Sequence, residues 1–230
     1  MLVAVGLIIL AAVFALAVLP QMWVRRVIAA HGAERADFPG TGGEFARHIL
    51  DEMRLGHVKV EETDAGDHYD PDAKAVRLLP KHFAGRSLAA VIIAAHETGH
   101  AMQDASGYPP LEARTRLAKQ ALRMEKVAAV VMLAAPLVVA LAKAPHVAII
   151  EVLVGVMIFA LTILVHAVTL PVEFDASFRR ALPVLQAGRY IDDKDMPAAR
   201  QILRAAAFTY VAAAAMSLLD VARWLRVLRI

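Results

Sequence analysis

The chain of 230 residues is 59% hydrophobic and carries a formal net charge of only +3. This apolar fraction exceeds the roughly 45–50% that is usual in soluble domains and indicates segments in contact with a membrane. Arginines beside apolar runs favour a membrane surface over nucleic acid as partner, and the absence of cysteine excludes disulfides and thiolate metal sites.

The first predicted element is an N-terminal transmembrane anchor, residues 1–24. The apolar run Leu2–Leu19 is just long enough to span a bilayer, and no clear cleavage site follows it. Trp23, Arg25 and Arg26 come next and are typical of an interfacial border with its basic side in the cytoplasm. We therefore expect a retained anchor rather than a cleaved signal peptide.

Two short strands are predicted within the next region, residues 25–126. A polar linker, 31–43, precedes a helix over Glu44–Leu55 that a capping box opens. Val58–Glu61 and Ala75–Leu79 then predict a small antiparallel sheet. An edge strand of such a sheet can pair with an extended peptide. The alternative is a hairpin that only covers the core.

The following helix, Leu88–Met102, carries the motif H-E-x-x-H. His96 and His100 are four residues apart and share one face of the helix, so both imidazoles can bind one metal ion. Glu97 lies beside them, where it can take a proton from a water molecule that the metal activates. The residues before the motif are almost all apolar, and burying these side chains is costly unless they bind metal or are paired. Zn²⁺ suits this donor set; a solvated helix face is the alternative.

Two apolar runs predict a transmembrane hairpin over residues 127–170. The runs are Val127–Ala142 and Val147–Leu170, and the stretch before them, Leu111–Lys126, is basic and amphipathic. That stretch is typical of a solvated face near lipid headgroups. His166 lies inside the second run, where ionisable residues are functional candidates by default. His166 is therefore a candidate catalytic residue, with a satisfied core histidine as the alternative.

The segment after the hairpin contains the candidate for a third metal ligand. A H-E-x-x-H pair needs a further ligand, often a glutamate on a later helix, and Glu173 is the best candidate. Asp175 or Ser177 can orient a histidine without touching the metal. The alternative is that these carboxylates pair with Arg179 and Arg180.

The C-terminal part of the last segment, 171–230, is an alanine-rich helix. Its apolar stretch Ala205–Leu219 is short and is followed by arginines, so it predicts either a fourth span or a helix packed on the metal-binding region. The predicted hairpin loop carries only Lys143, whereas basic residues flank the opposite ends of the spans. The positive-inside rule then places the metal site on the cytoplasmic side.

Four separated motifs occur in order along nearly the whole chain, namely Tyr69–Pro71, Ile93–Gln103, Leu170–Ser177 and Ala205–Ala212. Together they resemble the bacterial YugP-type membrane zinc metallopeptidases. The resemblance implies a zinc endopeptidase of the gluzincin kind in the bacterial plasma membrane. It also implies that His96, His100 and Glu173 bind the metal and that Glu97 is the general base.

A more distant resemblance is to the HtpX and CAAX prenyl proteases, whose third-ligand motif is E-x-x-x-D. Here the fourth residue after Glu173 is Ser177, and the acid is Asp175. Asp175 therefore stays open as an alternative ligand. The expected fold is a mainly α membrane protein with a zincin-like metallopeptidase core, a small antiparallel β-sheet and three to four transmembrane helices.

The predicted activity is hydrolysis of peptide bonds by a zinc-dependent endopeptidase. Glu97 takes a proton from the activated water, the hydroxide attacks the peptide carbonyl, and Glu97 returns the proton to the leaving amine. Tyr108, His166 and Tyr210 are candidates for stabilising the oxyanion. We expect one Zn²⁺ per chain, a peptide or protein substrate and a lipid bilayer as partners, and no nucleic acid; a homo-oligomer is left open.

Two other classes of function remain as alternatives. A zinc-binding but non-proteolytic membrane scaffold or assembly factor would not need Glu97 as a base. A metal transporter would place several ligands within its spans, and only Glu151 and His166 lie there.

Overall fold

A computed structural model describes residues 2–142 and 146–209, although some side chains within its three longest helices are outside that description. The helices in this part of the chain are α1 (Leu2–Ala30), α2 (Gly42–Glu52), α3 (Pro80–Phe83), α4 (Leu88–Ala105), α5 (Pro109–Ala142), α6 (His146–Phe174), α7 (Leu182–Ala187) and α8 (196–209). The strands are β1 (Lys59–Glu62), β2 (His68–Asp70) and β3 (Ala75–Leu78).

The three strands form a mixed sheet and not the antiparallel sheet that the sequence predicted. The order is β1-β3-β2, with β1 parallel and β2 antiparallel to β3. Val76 of β3 pairs with Val60 on one side and with Tyr69 on the other. The prediction was wrong because the strand that precedes β3 in the chain is β2. With only three residues, β2 was too short to be recognised.

Helix α4 lies at the centre of the fold, and nearly all of its side chains are buried. Ser87 caps its N-terminus, where the hydroxyl accepts a hydrogen bond from the Ala90 amide at 3.1 Å. Helix α2 opens with the predicted capping box of Thr41 and Glu44 and packs on α4. A Cβ on Gly42 would lie 2.8 Å from the Ala90 carbonyl oxygen, so only glycine permits this close approach.

The chain continues as a π-helix, Asp175–Ala181, directly after α6. Such turns are rare and are often found at functional sites. The segment packs on α4, and a Cβ on Gly99 would lie 2.6 Å from the Ala176 carbonyl oxygen. Gly99 therefore allows the π-helix to come close enough for residues at the end of α6 to reach α4.

The C-terminal elements complete the hydrophobic core. Leu185 of α7 and both Ile202 and Leu203 of α8 are fully buried in it. Arg35, in the linker after α1, forms an ion pair with Asp195 at 2.7 Å. This pair attaches the N-terminal linker to the segment that leads into α8.

The prediction of three to four transmembrane helices is wrong. Among the residues that the structure describes, no helix is long and apolar enough to cross a membrane. The apolar runs are not separate elements, because α1 continues from Leu2 through Arg25 and Arg26, and α5 joins the basic stretch Leu111–Lys126 to the run after it. Helices α5 and α6 pack against each other. The rest of the suggested fourth span, beyond residue 209, lies outside the described residues.

Candidate metal centre

Two histidines one turn apart on α4 form the base of the site. The ring centroids of His96 and His100 lie 4.8 Å apart with the rings nearly perpendicular. Both side chains are buried, as the apolar helix that carries them requires. Helical spacing thus places two imidazoles on one face, inside the protein.

Glu173, at the end of α6, is the third residue of the site. Its Oε2 atom lies 3.1 Å from Nε2 of His96 and 3.2 Å from Nε2 of His100. The side chain is completely buried. One ligand atom from each of the three residues lies within 4.8 Å of the others, a spacing that permits a shared metal ion.

The outer side of His96 is held by Ser177, from the π-helix. The Ser177 hydroxyl donates to the Leu203 carbonyl at 3.1 Å, so it accepts from Nδ1 of His96 at 2.9 Å. Nδ1 therefore carries the ring proton, a tautomer assigned from the hydrogen-bond network. Nε2 is left with its lone pair directed towards Glu173.

The outer side of His100 is held by Gln103 in the same way. The amide nitrogen of Gln103 donates to the Val172 carbonyl and to Oδ2 of Asp175, both at 2.8 Å. Its amide oxygen then accepts from Nδ1 of His100 at 2.9 Å. Arg180 also donates to Asp175, at 2.9 Å. Both histidines therefore direct an unprotonated Nε2 towards the same carboxylate.

Three hydrogen-bond acceptors facing one another call for a cation between them. Although burial opposes it, positive charge on His100 and His96 holds the pKa of Glu173 well below its usual range. With both rings neutral, a cation between the three side chains takes over that role and keeps the carboxylate ionised. The other oxygen, Oε1, is buried without a hydrogen bond and lies 3.4 Å from Nη1 of Arg114. Two imidazole nitrogens and one carboxylate oxygen fit Zn²⁺ and leave a fourth position open.

Glu97 lies beside this group on α4 and is also buried. Burial raises its pKa to about 8; Glu173 and Asp67 act in the same direction, and His96 and Arg114 act against it. A carboxyl group tuned towards neutral pH is suited to exchanging protons. A cation at the three acceptors would favour its ionised form.

A cavity of about 260 Å³ opens onto the site. Strand β2 contributes His68 and Tyr69 to its lining, and α5 contributes Arg114. The Tyr69 hydroxyl donates to Oδ2 of Asp104 at 2.6 Å, which ties β2 to the end of α4. An edge strand of the sheet is thus held along the cavity that contains the candidate metal ligands.

The other predicted site residues lie elsewhere or cannot be placed. Asp175 is bonded to Gln103 and Arg180 and is not in the three-residue group. Tyr108 lines a separate groove, where the Arg180 guanidinium lies over its ring at 5.5 Å. The side chains of Glu151 and His166, and the whole of Tyr210, lie outside the described residues.

Sequence reasoning missed three residues of the site. Gln103 follows His100 by three residues on the same helix, and this spacing was the available signal. Arg114 had been assigned to a solvated face, yet it contacts Glu173. His68, in a strand too short to recognise, lines the cavity.

Comparison with known proteins agrees with this donor set. A family model described as "Putative neutral zinc metallopeptidase" matches residues 6–229. The chain belongs to the neutral zinc metallopeptidase family. "Putative membrane protease YugP" of Bacillus subtilis (strain 168) is 34% identical over 189 residues, which cover 81% of this chain and 80% of that protein. No solved structure matches the chain.

Membership in the zinc metallopeptidase family confirms the resemblance that the four sequence motifs indicated. The family description names zinc, the metal that the donor set of His96, His100 and Glu173 independently favours.

Proposed function

We propose that this zinc metallopeptidase is an endopeptidase that uses one Zn²⁺ per chain, held by His96, His100 and Glu173. One observation carries the proposal: Oε2 of Glu173 lies 3.1 Å from Nε2 of His96 and 3.2 Å from Nε2 of His100, and both histidines direct Nδ1–H to a hydrogen-bond acceptor on the outer side. With both rings neutral, the Glu173 carboxylate would face two nitrogen lone pairs, so a cation has to lie between them: either a metal ion or a second proton on one of the Nε2 atoms.

The chemistry divides between the metal and Glu97. A zinc ion held at the three ligands supplies the Lewis acidity that polarises a peptide carbonyl and lowers the pKa of water. Glu97 accepts the proton of the attacking water at its carboxylate and delivers it to the nitrogen of the leaving amine. Because Glu97 is buried beside the ligands, little water surrounds its carboxylate, and its electrostatic interactions are stronger there than in bulk water.

The substrate side of the proposal rests on β2. This strand lies at an edge of the sheet and lines the cavity. An extended peptide can add to such an edge through backbone hydrogen bonds, which would hold a scissile bond near the ligands with little dependence on side chains. The substrate is therefore a peptide or a protein segment in extended conformation.

Association with a membrane is part of the same proposal. The relative from Bacillus subtilis is named a membrane protease. Large apolar side chains on α5 and α6 are exposed, and exposed apolar surface of this kind usually contacts lipid or another protein. We accordingly expect the protein to associate with a membrane surface.

The decisive experiment compares the full-length protein, purified in neutral detergent, with Glu97→Gln. We expect zinc in both proteins, and cleavage of a peptide library only by the wild type. The exposed Glu62→Gln is the matched control and should cleave as the wild type does. Zinc in both without cleavage by either would favour the alternative, a non-proteolytic zinc-binding scaffold. The absence of zinc from both would contradict the proposal.

A further inference from the structure

A second and larger concavity lies outside the metal cavity. It has a volume of about 560 Å³ and is bordered by the end of α6, the π-helix, the start of α5 and α8. None of the three candidate metal ligands is in its lining. We call it the aromatic groove, defined by Tyr108, Phe174, Phe178, Arg179 and Arg204.

Aromatic side chains form the wall of the aromatic groove. The ring of Phe174 lies 5.6 Å from that of Phe178 and 5.7 Å from that of Phe208, centroid to centroid. Phe174 nevertheless remains 36% exposed. A phenylalanine supported by two other rings and still open to solvent presents a rigid apolar surface for a ligand.

Two arginines give the groove a positive charge. Arg179 and Arg204 are exposed, and no ion pair of either is found within residues 2–142 and 146–209. The one acid in the lining, Asp175, is already bound by Gln103 and Arg180. Asp175 also interacts electrostatically with Arg179, but one carboxylate shared with Arg180 offsets only part of the charge, so the groove keeps a net positive charge for an anionic ligand.

An apolar stripe on α6 leads directly to this groove. Its exposed residues follow one another at intervals of three and four, the spacing of one helix face. They are Leu153, Met157, Ala160, Leu164, Ala167, Pro171 and Phe174. At about 1.5 Å per residue the stripe is roughly 30 Å long, and its last two members line the groove.

We propose that the aromatic groove binds the headgroup of an anionic phospholipid whose acyl chains lie along the α6 stripe. Charge complementarity selects the phosphate, which Arg179 and Arg204 can hold from two sides. The stripe selects the rest of the ligand, because a phosphate alone would leave the adjoining apolar surface in water. The inference shares membrane association with the proposed function but does not depend on zinc or on catalysis.

The test uses the full-length protein in neutral detergent, titrated with phosphatidylglycerol or with phosphatidylcholine of the same chain length. Native mass spectrometry counts bound lipids. We expect one tightly held phosphatidylglycerol per chain and weaker binding of phosphatidylcholine. The double variant Arg179→Gln with Arg204→Gln should bind phosphatidylglycerol roughly 10- to 30-fold more weakly. The matched control is Arg200→Gln, an exposed arginine one turn earlier on α8 that does not line the groove.

Four results would overturn the proposal. Equal binding of the two lipids would remove the role of charge, and unchanged binding by the double variant would place the lipid elsewhere. Full competition by inorganic phosphate would show a phosphate site, and an arginine-dependent dimer would show that a second copy of the chain occupies the groove.

Two further variants separate the outcomes from misfolding and from catalysis. The double variant Arg179→Lys with Arg204→Lys keeps both charges and should retain the lipid. If this variant lost both its bound lipid and its folded state, the two arginines would have only a structural role. Glu97→Gln should bind lipid as the wild type does. A failed peptidase assay and a failed lipid assay are therefore distinguishable.

Discussion

The Nδ1 atom of His96 and the hydroxyl oxygen of Ser177 lie 2.9 Å apart, in a chain that ends at the Leu203 carbonyl. This contact joins α4, the π-helix and α8 at a single side chain. It sets which nitrogen of His96 is available for a metal and keeps the ring from rotating. The serine hydroxyl donates to the Leu203 carbonyl and accepts from His96 at the same time.

Ser177→Ala should weaken zinc binding about 10- to 100-fold, because His96 loses the partner that orients its ring. Competition with a chromogenic chelator measures the affinity directly. Ser106→Ala is the control, since that exposed hydroxyl only donates to the Gln103 carbonyl at the end of α4. Equal zinc affinity of Ser177→Ala and wild type would contradict the orienting role.

Gln103→Leu should lower the free energy of unfolding by about 1–3 kcal/mol, because buried groups on His100, Val172 and Asp175 lose their partner. Urea unfolding measures this change, and the zinc affinity should fall as well. Gln186→Leu, at an exposed position of α7, should have little effect on either quantity. A fully stable Gln103→Leu protein would mean that these groups find other partners.

Gly99→Ala should destabilise the protein, although alanine is usually about 1 kcal/mol more favourable than glycine within a helix. The added Cβ would meet the backbone of Ala176 at 2.6 Å, and no side-chain rotation can relieve that contact. Thermal unfolding with and without zinc should show a lower melting temperature and a smaller zinc-induced increase.

Gly56→Ala is the control for this prediction, because the nearest atom to its Cβ would be Oδ1 of Asp51 at 3.6 Å. It should be close to neutral. If Gly99→Ala were as stable as the wild type, α4 and the π-helix could separate without cost, and the tight packing would not position Glu173.

Asp70→Asn should reduce stability at neutral pH. Hydrogen bonds from the backbone of Ala73 and Asp72, together with Arg77, hold the pKa of Asp70 below its ordinary value in the folded protein. Its contribution is therefore complete above the unfolded pKa of about 4 and is lost as the pH falls through the folded value. Denaturation at several pH values should show the two proteins converging in acid.

The exposed Asp64→Asn is the control for Asp70 and should follow the wild type across the same pH range. A difference between Asp70→Asn and wild type that persists in strong acid would show that the side chain acts through its shape and not through its charge.

Local patterns predicted the part of the site that lies within one helix. His96, Glu97 and His100 are close in space because four residues make about one turn, and the apolar run before them indicated burial. Glu173 was found from the need for a third ligand. The capping box at Thr41 and Glu44 is likewise a local feature, and the structure confirms it.

Features that depend on contacts between distant segments could not be predicted in the same way. The direction of β1 relative to β3 depends on the short β2. This strand lies between them in the chain and pairs antiparallel with β3 on the side opposite β1, which leaves β1 parallel to β3. Arg114 lies on an amphipathic stretch whose pattern is the same whether or not one arginine faces a buried glutamate. The hydropathy pattern also predicted that helices end where the apolar runs end, whereas α1 and α5 continue through charged residues.

The candidate ligands are far apart in the order of synthesis. His96 leaves the ribosome 77 residues before Glu173, and the Ser177 hydroxyl needs the carbonyl of Leu203, a further 26 residues on. A nascent chain that ends before α8 therefore has both histidines and Glu173, but it lacks the Leu203 carbonyl that fixes the Ser177 hydroxyl against His96. On the proposed function, the metal site of the peptidase is fully supported, and its proteolytic activity complete, only after α8 has been synthesised.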